Sequence, residues 1–430
     1  MVQFVDRRGF MGGAAAIATL PMARQAGAVA SVAIDEDAFW TNIASQYDVT
    51  REIIQLENGN WGMMARPVIE AYEGNVERVN RDTSYYTRRG MIADWMRARD
   101  ALAATLQVQP DEVAFTRNAT EALKALILGY NRLTPGDTVL YADLDYDSMQ
   151  ACMDSLATRR GVSVVRIALP QPATRQSLID AYAAAMAANP RLRLILLTHL
   201  SHRTGVVLPV REIAAMARAR GIATIVDAAH SWCQLDMTLA DLDCDYVGIN
   251  CHKWLGAPLG VGAIHIRRGA LAAIDRDPAN PASERDTIQA RIHTGTVDFA
   301  APLTVPAALA FQGRIGSRRR ADRLVALRNR WVDQVKTVPG IEILTPDDPA
   351  LHGGITSFRI RGRTSTAENV AVSAALLEKY RIFTVHRDGA AGGSCVRVTP
   401  ALFNTMADMD ALAKALRGIP ESAPYQSKPT

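Results

Sequence analysis

Between residues 138 and 266, short apolar runs alternate with longer stretches whose apolar positions recur every three or four residues. The runs at 138–141, 162–167, 192–198, 222–227, 246–250 and 262–266 predict strands; 147–159, 177–188 and 209–220 predict helices. The strand runs are apolar at consecutive rather than alternate positions, so both faces of their sheet must be covered. Strands of this kind alternating with helices predict an α/β architecture, a mainly parallel sheet sandwiched by helices. Such sheets bind ligands at the carboxyl ends of their strands, which here carry Thr198, Asp227 and Asn250.

The flanks follow other patterns. Residues 31–47 predict a leading helix, and 53–56 a short strand that ends in the turn Glu57-Asn58-Gly59-Asn60-Trp61-Gly62, where Asn-Gly is a strong turn signal. Helices are expected at 67–79 and 92–106, with a polar, aromatic loop at 81–89 containing Tyr85, Tyr86, Arg88 and Arg89. A strand at 113–116 leads into Asn118, which with Glu121 has the form of a capping box. After Thr296 a long helical stretch is predicted over 302–335. Strands at 341–344, 355–360, 382–385 and 395–399 and helices at 367–379 and 406–416 then form a second, smaller α+β domain. The expected divisions are 1–30, 31–60, 61–300, 301–420 and a flexible tail at 421–430.

Composition adds limits. The chain has 430 residues, 48% apolar and 21% charged, with a net charge of +4, an ordinary globular balance. No basic stripe is interleaved with aromatics, which argues against nucleic acid. The run Arg318-Arg319-Arg320, with Arg314 and Arg323, predicts a solvated helix face. Cys152, Cys233, Cys244, Cys251 and Cys395 form no CxxC pair, so neither a disulfide framework nor a zinc ribbon is expected. The N-terminus differs in kind: Arg7-Arg8 and Phe10 precede a mild apolar run at 12–20 and then Ala28-Val29-Ala30. That order resembles a twin-arginine export signal with its cleavage site, and it predicts a periplasmic protein without a membrane anchor.

The candidate chemistry centres on Lys253, which lies between the apolar runs 246–250 and 262–266 and before a Gly/Pro turn. A lysine buried between strands is costly unless its amine has a role, and such lysines serve as nucleophiles or Schiff-base partners. Asp227 closes an earlier strand, and the helix start at 118–120 offers N–H groups and a dipole suited to a phosphate. Taken singly, His230 and His252 are ordinary hydrogen-bonded histidines, Tyr146 a packing residue, Asn60 a turn former and Asp227 a helix cap. The pair His199 and His202 is spaced poorly for a metal, and none is expected.

Thr116-Arg-Asn-Ala-Thr-Glu-Ala, Val226-Asp-Ala-Ala-His, His252-Lys-Trp-Leu-Gly-Ala-Pro and Val396-Arg397 together resemble the class V aminotransferase family, in its isopenicillin N epimerase-like branch, over residues 50–410. The resemblance implies a PLP-dependent enzyme of fold type I, with a seven-stranded-type sheet. Lys253 would be the Schiff-base lysine and Asp227 the partner of the pyridine nitrogen. Ala119, Thr120, Asn250 and His252 would hold the cofactor's phosphate, Tyr146 would stack on its ring, and His230 would lie near its phenolic oxygen. Thr296 would reach the phosphate of a neighbouring subunit, implying a homodimer. Asn60 would approach the substrate, and Arg397 would clamp its α-carboxylate. Desulfuration is disfavoured, because 381–394 holds no cysteine and Cys395 shares a strand with Arg397. Transfer, epimerisation and cysteine-independent C–S cleavage stay open, on a free or peptide-linked amino acid such as a siderophore side chain. The competing class is a cofactor-binding scaffold in which the lysine is structural.

Overall fold

The computed structural model describes residues 35–281 and 285–419. The expected export signal and the expected tail lie outside that span. No described helix is long and apolar enough to cross a membrane.

A seven-stranded sheet forms the centre. Its order from one edge is Val113–Thr116, Gly262–Ile266, Tyr246–Asn250, Ala223–Asp227, Leu192–Thr198, Thr138–Ala142 and Ser163–Ile167. All pairings are parallel except the two made by Gly262–Ile266, which runs antiparallel to both neighbours. That exception follows from chain length: the turn at 251–261 is too short for a crossover helix, so the next strand must double back. Apolar clusters cover both faces. One holds Leu140, Ile195, Leu197, Val226 and Val247, and the other holds Val139, Leu194, Leu196, Ile225 and Ile264.

Two glycines bring the helix Ala119–Gly129 close to the sheet. A Cβ at Gly248 would lie 2.6 Å from Leu123 Cγ, and one at Gly262 would lie 2.8 Å from the Asn118 backbone. The helix start is thereby held against the carboxyl end of Tyr246–Asn250. Asn118 caps it by accepting from Glu121 N–H at 2.8 Å. The return bond of a capping box is missing, because Glu121 accepts from Arg117 N–H instead, at 2.7 Å.

The smaller unit is an antiparallel sheet ordered Val385–Arg387, Cys395–Val398, Thr356–Ile360, Ile341–Ile343, packed on helices Ser317–Val335, Thr366–Tyr380 and Met406–Gly418. The short strand Ile54–Gln55 pairs in parallel with Ile382–Phe383, tying the N-terminal segment to this unit.

Three local expectations are corrected. The loop expected at 81–89 belongs to the helix Arg66–Arg89, broken only at Thr83, where φ is 40°. Its tyrosines differ in setting: Tyr85 is 76% exposed, whereas Tyr86 is buried, donates to Asp94 and lies under the Arg78 guanidinium. The long stretch at 302–335 is two helices, Ala300–Ile315 and Ser317–Val335, divided at Gly316 with φ 87°, and the first packs against Arg66–Arg89 and Met91–Leu106 of the larger unit. The arginine run is not uniformly solvated, because Arg320 is buried and donates to Cys233 O at 2.7 Å. All five cysteines are free thiols.

Candidate active site

A cavity of about 400 Å³ opens where the carboxyl ends of the central strands meet the smaller unit. It is lined by Asn60, Ala119, Thr120, Tyr146, Asp227, His230, Asn250, His252, Lys253 and Arg397, which is every expected site residue except Thr296. Thr296 is exposed and outside the lining.

At the inner end, Asp227 is buried on its strand end and accepts from Ala229 N–H at 2.9 Å. Among the described residues no ion pair reaches it. Burial raises its pKa, with Lys253 pulling weakly the other way. Asn250 Oδ1 accepts from Ala119 N–H at 2.8 Å, so this backbone donor is engaged within the chain, and the Thr120 hydroxyl and the helix dipole remain facing the cavity. His252 Nδ1 lies 3.0 Å from Val261 O and therefore donates to it, which leaves Nε2 as an acceptor in the neutral ring. Burial lowers the pKa of His252.

Lys253 sits in the turn between two strands, and its Nζ lies 3.0 Å from His230 Nε2. Burial pulls its pKa down to about 8; Asp227 opposes this, and Arg397 and Arg387 assist it. His230 in turn receives the Trp254 indole N–H on Nδ1 at 3.3 Å. The turn carrying Lys253 is clamped by the N-terminal segment, since Gly62 N–H donates to His252 O at 2.8 Å. A Cβ at Gly62 would lie 1.8 Å from Lys253 O, so no side chain fits there.

The outer end is cationic. Arg397 is buried; its Nη2 lies 2.6 and 2.9 Å from the two carboxylate oxygens of Glu57, and its Nη1 donates to His202 O at 2.8 Å. Arg387, diagonal to Arg397 on the neighbouring strand, reaches the same Glu57 at 3.2 Å. The clamp expected of Arg397 thus already holds a carboxylate of its own chain, because a buried guanidinium needs a counter-charge when no ligand is present. One carboxylate serves two guanidiniums, and Nε of each arginine has no partner among the described residues.

Three contributors escaped the sequence reading. Glu57 stood out only as the first residue of a turn. Arg387 was assigned to no role, although the period-two spacing of its strand places it on the same face as Arg397. His202 was considered only for metal binding, yet it lines the cavity, with its ring edge-on to Tyr146 at 5.3 Å and stacked with His230 at 6.4 Å. Among the described residues no cluster could hold a metal. No cysteine lines the cavity, and Cys395 Sγ faces Arg203 O at 3.6 Å instead.

A buried carboxylate without a cation, an amine of lowered pKa and a capped helix start around one cavity fit an aromatic carbonyl cofactor carrying a cationic ring nitrogen and a phosphate. The fold and site define a lysine-based PLP enzyme. Residues 64–412 match the aminotransferase class-V family, and the chain belongs to it. It is 31% identical to an isopenicillin N epimerase of Amycolatopsis lactamdurans over 88% of this chain and 98% of that one. It is 30% identical to the isopenicillin N epimerase of Streptomyces clavuligerus, with the same coverages. Among solved structures, the fold matches C-DES, a cystine C-S lyase captured with glycine covalently linked to its PLP cofactor (TM-score 0.75, 22% identity, 87% of this chain and 98% of that one). It also matches the Escherichia coli cysteine desulfurase CsdA (TM-score 0.75, 20% identity, 89% and 98%). The chain is a PLP-dependent enzyme with epimerase, desulfurase and lyase relatives.

Proposed function

We propose that the enzyme acts at the amino group and α-carbon of an amino acid whose side chain is joined to a larger body, such as a peptide-linked residue of a siderophore. The observation that carries this reading is a second cavity that shares two wall residues with the first. This second space, of about 440 Å³, is lined by Trp61, Met63, Phe383 and Val385 together with Asn60 and Arg387 of the site. Trp61 is 54% exposed, an apolar surface beside the entrance. A free small amino acid would leave this space unused.

When bound, the cofactor supplies an electron sink for the bond that breaks at Cα. Asp227 would keep a proton on the ring nitrogen. Arg397 and Arg387 hold the substrate carboxylate, displacing or sharing Glu57. Lys253 would hold the cofactor's carbonyl carbon and, as a free amine, would be the base placed to take or return the Cα proton. A second reading, epimerisation, has its own support: His202 is a second titratable group on the cavity wall, and the relatives at 31% and 30% identity bear the epimerase name. A persulfide route is disfavoured by the placement of Cys395. In this reading the enzyme is an exported homodimer in which Thr296 completes the partner's phosphate site.

Matched substrates test the reading: free glutamate and lysine against the same residues linked through the side chain to an aromatic peptide. Ammonia, keto acid and Cα deuterium uptake are followed. Preference of at least about tenfold in kcat/KM for the linked forms is expected. Brisk transamination of free amino acids, with linked forms ignored, would sink it. Deuterium uptake with inversion, and without keto acid, selects the epimerase reading.

A further inference from the structure

The proton arrangement around Lys253 is over-determined by its neighbours. An indole nitrogen can only donate, so the 3.3 Å contact from Trp254 requires His230 Nδ1 to be an acceptor. A neutral imidazole then carries its proton on Nε2, which lies 3.0 Å from Lys253 Nζ. An N–H facing that nitrogen needs a lone pair, and only the neutral amine has one. The other assignments each break a contact. A lysine ammonium donating to Nε2 would push the ring proton to Nδ1, against the indole N–H. A doubly protonated ring would oppose the indole and lose its acceptor. Both bonds are satisfied together in one arrangement alone.

We propose that Trp254 is a positioning residue whose indole N–H fixes His230 as the Nε2–H tautomer, and that this tautomer holds Lys253 as a free amine ready to capture the cofactor. The surroundings support it. His230 is buried, and burial, followed by the nearby cations, disfavours its charged form. Trp254 is anchored against Leu200, Val207 and Ile355, so its N–H is held in place rather than swinging in solvent. The charged and titratable groups facing the pair are Asp227, His202, Arg387, Arg397 and Glu57. Only Asp227 and Glu57 favour a lysine ammonium, and neither bonds to Nζ. The same Nε2–H is also suited to donate to an oxygen of the cofactor placed beside Lys253.

The consequence for cofactor capture rests on Lys253 being the cofactor-bearing amine, whereas the tautomer itself does not. Nitrogen-15 spectra of histidine-labelled full-length protein, before and after PLP addition, read it directly. The expected result is a His230 with Nδ1 unprotonated and Nε2 protonated at pH 9, where Lys253 is a free amine. A protonated Nδ1 overturns the proposal, even if PLP binds and a visible band forms. Absence of that band would instead sink the role given to Lys253. Trp254→Phe keeps the ring and removes the donor. His230 is then free to present a lone pair to a lysine ammonium, and the pH midpoint for PLP capture should rise by about one unit, or about tenfold slower capture at pH 7. An unchanged midpoint in a variant with wild-type melting behaviour also overturns it. Should the variant not fold, the wild-type spectrum alone decides.

Discussion

The two ends of the cavity handle buried charge in opposite ways. At the inner end Asp227 has no ion pair among the described residues, and it accepts a backbone N–H at 2.9 Å. At the outer end Arg397 and Arg387 share the carboxylate of Glu57. Leaving a buried charge uncompensated is costly, so the inner end is complete only when a cationic group occupies it. The outer end is partly neutralised by the protein's own Glu57 and keeps a net positive charge for an incoming carboxylate. This is the pattern expected where the cofactor is resident and the substrate comes and goes.

Removing the covalent anchor has the largest expected effect. Lys253→Ala should abolish borohydride labelling of the chain and lower turnover by at least about a thousandfold, with the melting temperature of the cofactor-free protein unchanged or raised. Labelling of the chain by borohydride in this variant would end the account of the inner end.

Asp227→Asn separates the two ends next. Turnover should fall by about a hundredfold or more, through loss of the ring-nitrogen partner. The cofactor-free protein should be no less stable than wild type, because an uncompensated carboxylate has been neutralised with its hydrogen bond kept. Calorimetry with and without PLP checks both parts; destabilisation of the cofactor-free form would show that Asp227 is already paired.

The outer end should behave in the reverse manner. Arg397→Ala leaves Glu57 buried beside Arg387 alone and should cost about 3 kcal/mol of stability even without ligand. Glu57→Gln should cost at least as much, about 3–5 kcal/mol, because two buried guanidiniums lose their one counter-charge, and it should tighten the binding of simple carboxylates by freeing the clamp. Weaker carboxylate binding in Glu57→Gln would mean that Glu57 orients Arg397 rather than competing for it.

The smallest effect is in pH. Lys253, pulled down to about 8, is mostly ammonium at pH 6 and mostly free amine at pH 9. Capture of PLP by the cofactor-free protein should therefore speed up as pH rises and level off above about 8, rather than near 10.4 as for an ordinary lysine. Stopped-flow absorbance across that range checks the midpoint.

Much of the inner end was legible in the chain. Lys253, Asp227 and Asn250 are marked by strand ends, because strands that are apolar throughout announce a covered parallel sheet and its ligand-bearing edge. Asn118 and Glu121 announce a helix start by local chemistry. The outer end was legible only through Arg397. Glu57 and Arg397 are 340 residues apart, and nothing local in either segment states that a strand at 54–55 pairs with one at 382–383. The helix over 81–89 was missed for a related reason. Its tyrosines and arginines have loop-like polarity, yet Tyr86 is held by Asp94 and Arg78, partners that only folding supplies.

The sequence by itself determined the class of fold and the family and singled out Lys253, because periodicity and short motifs are local properties of a chain. Tertiary structure alone decided that Arg397 already holds a carboxylate, that a second cavity shares the wall at Asn60, and that Trp254 and His230 line up on Lys253. Each of these depends on distances between segments remote in sequence. Charge pairing and proton position follow distance in space, which the order of residues does not record.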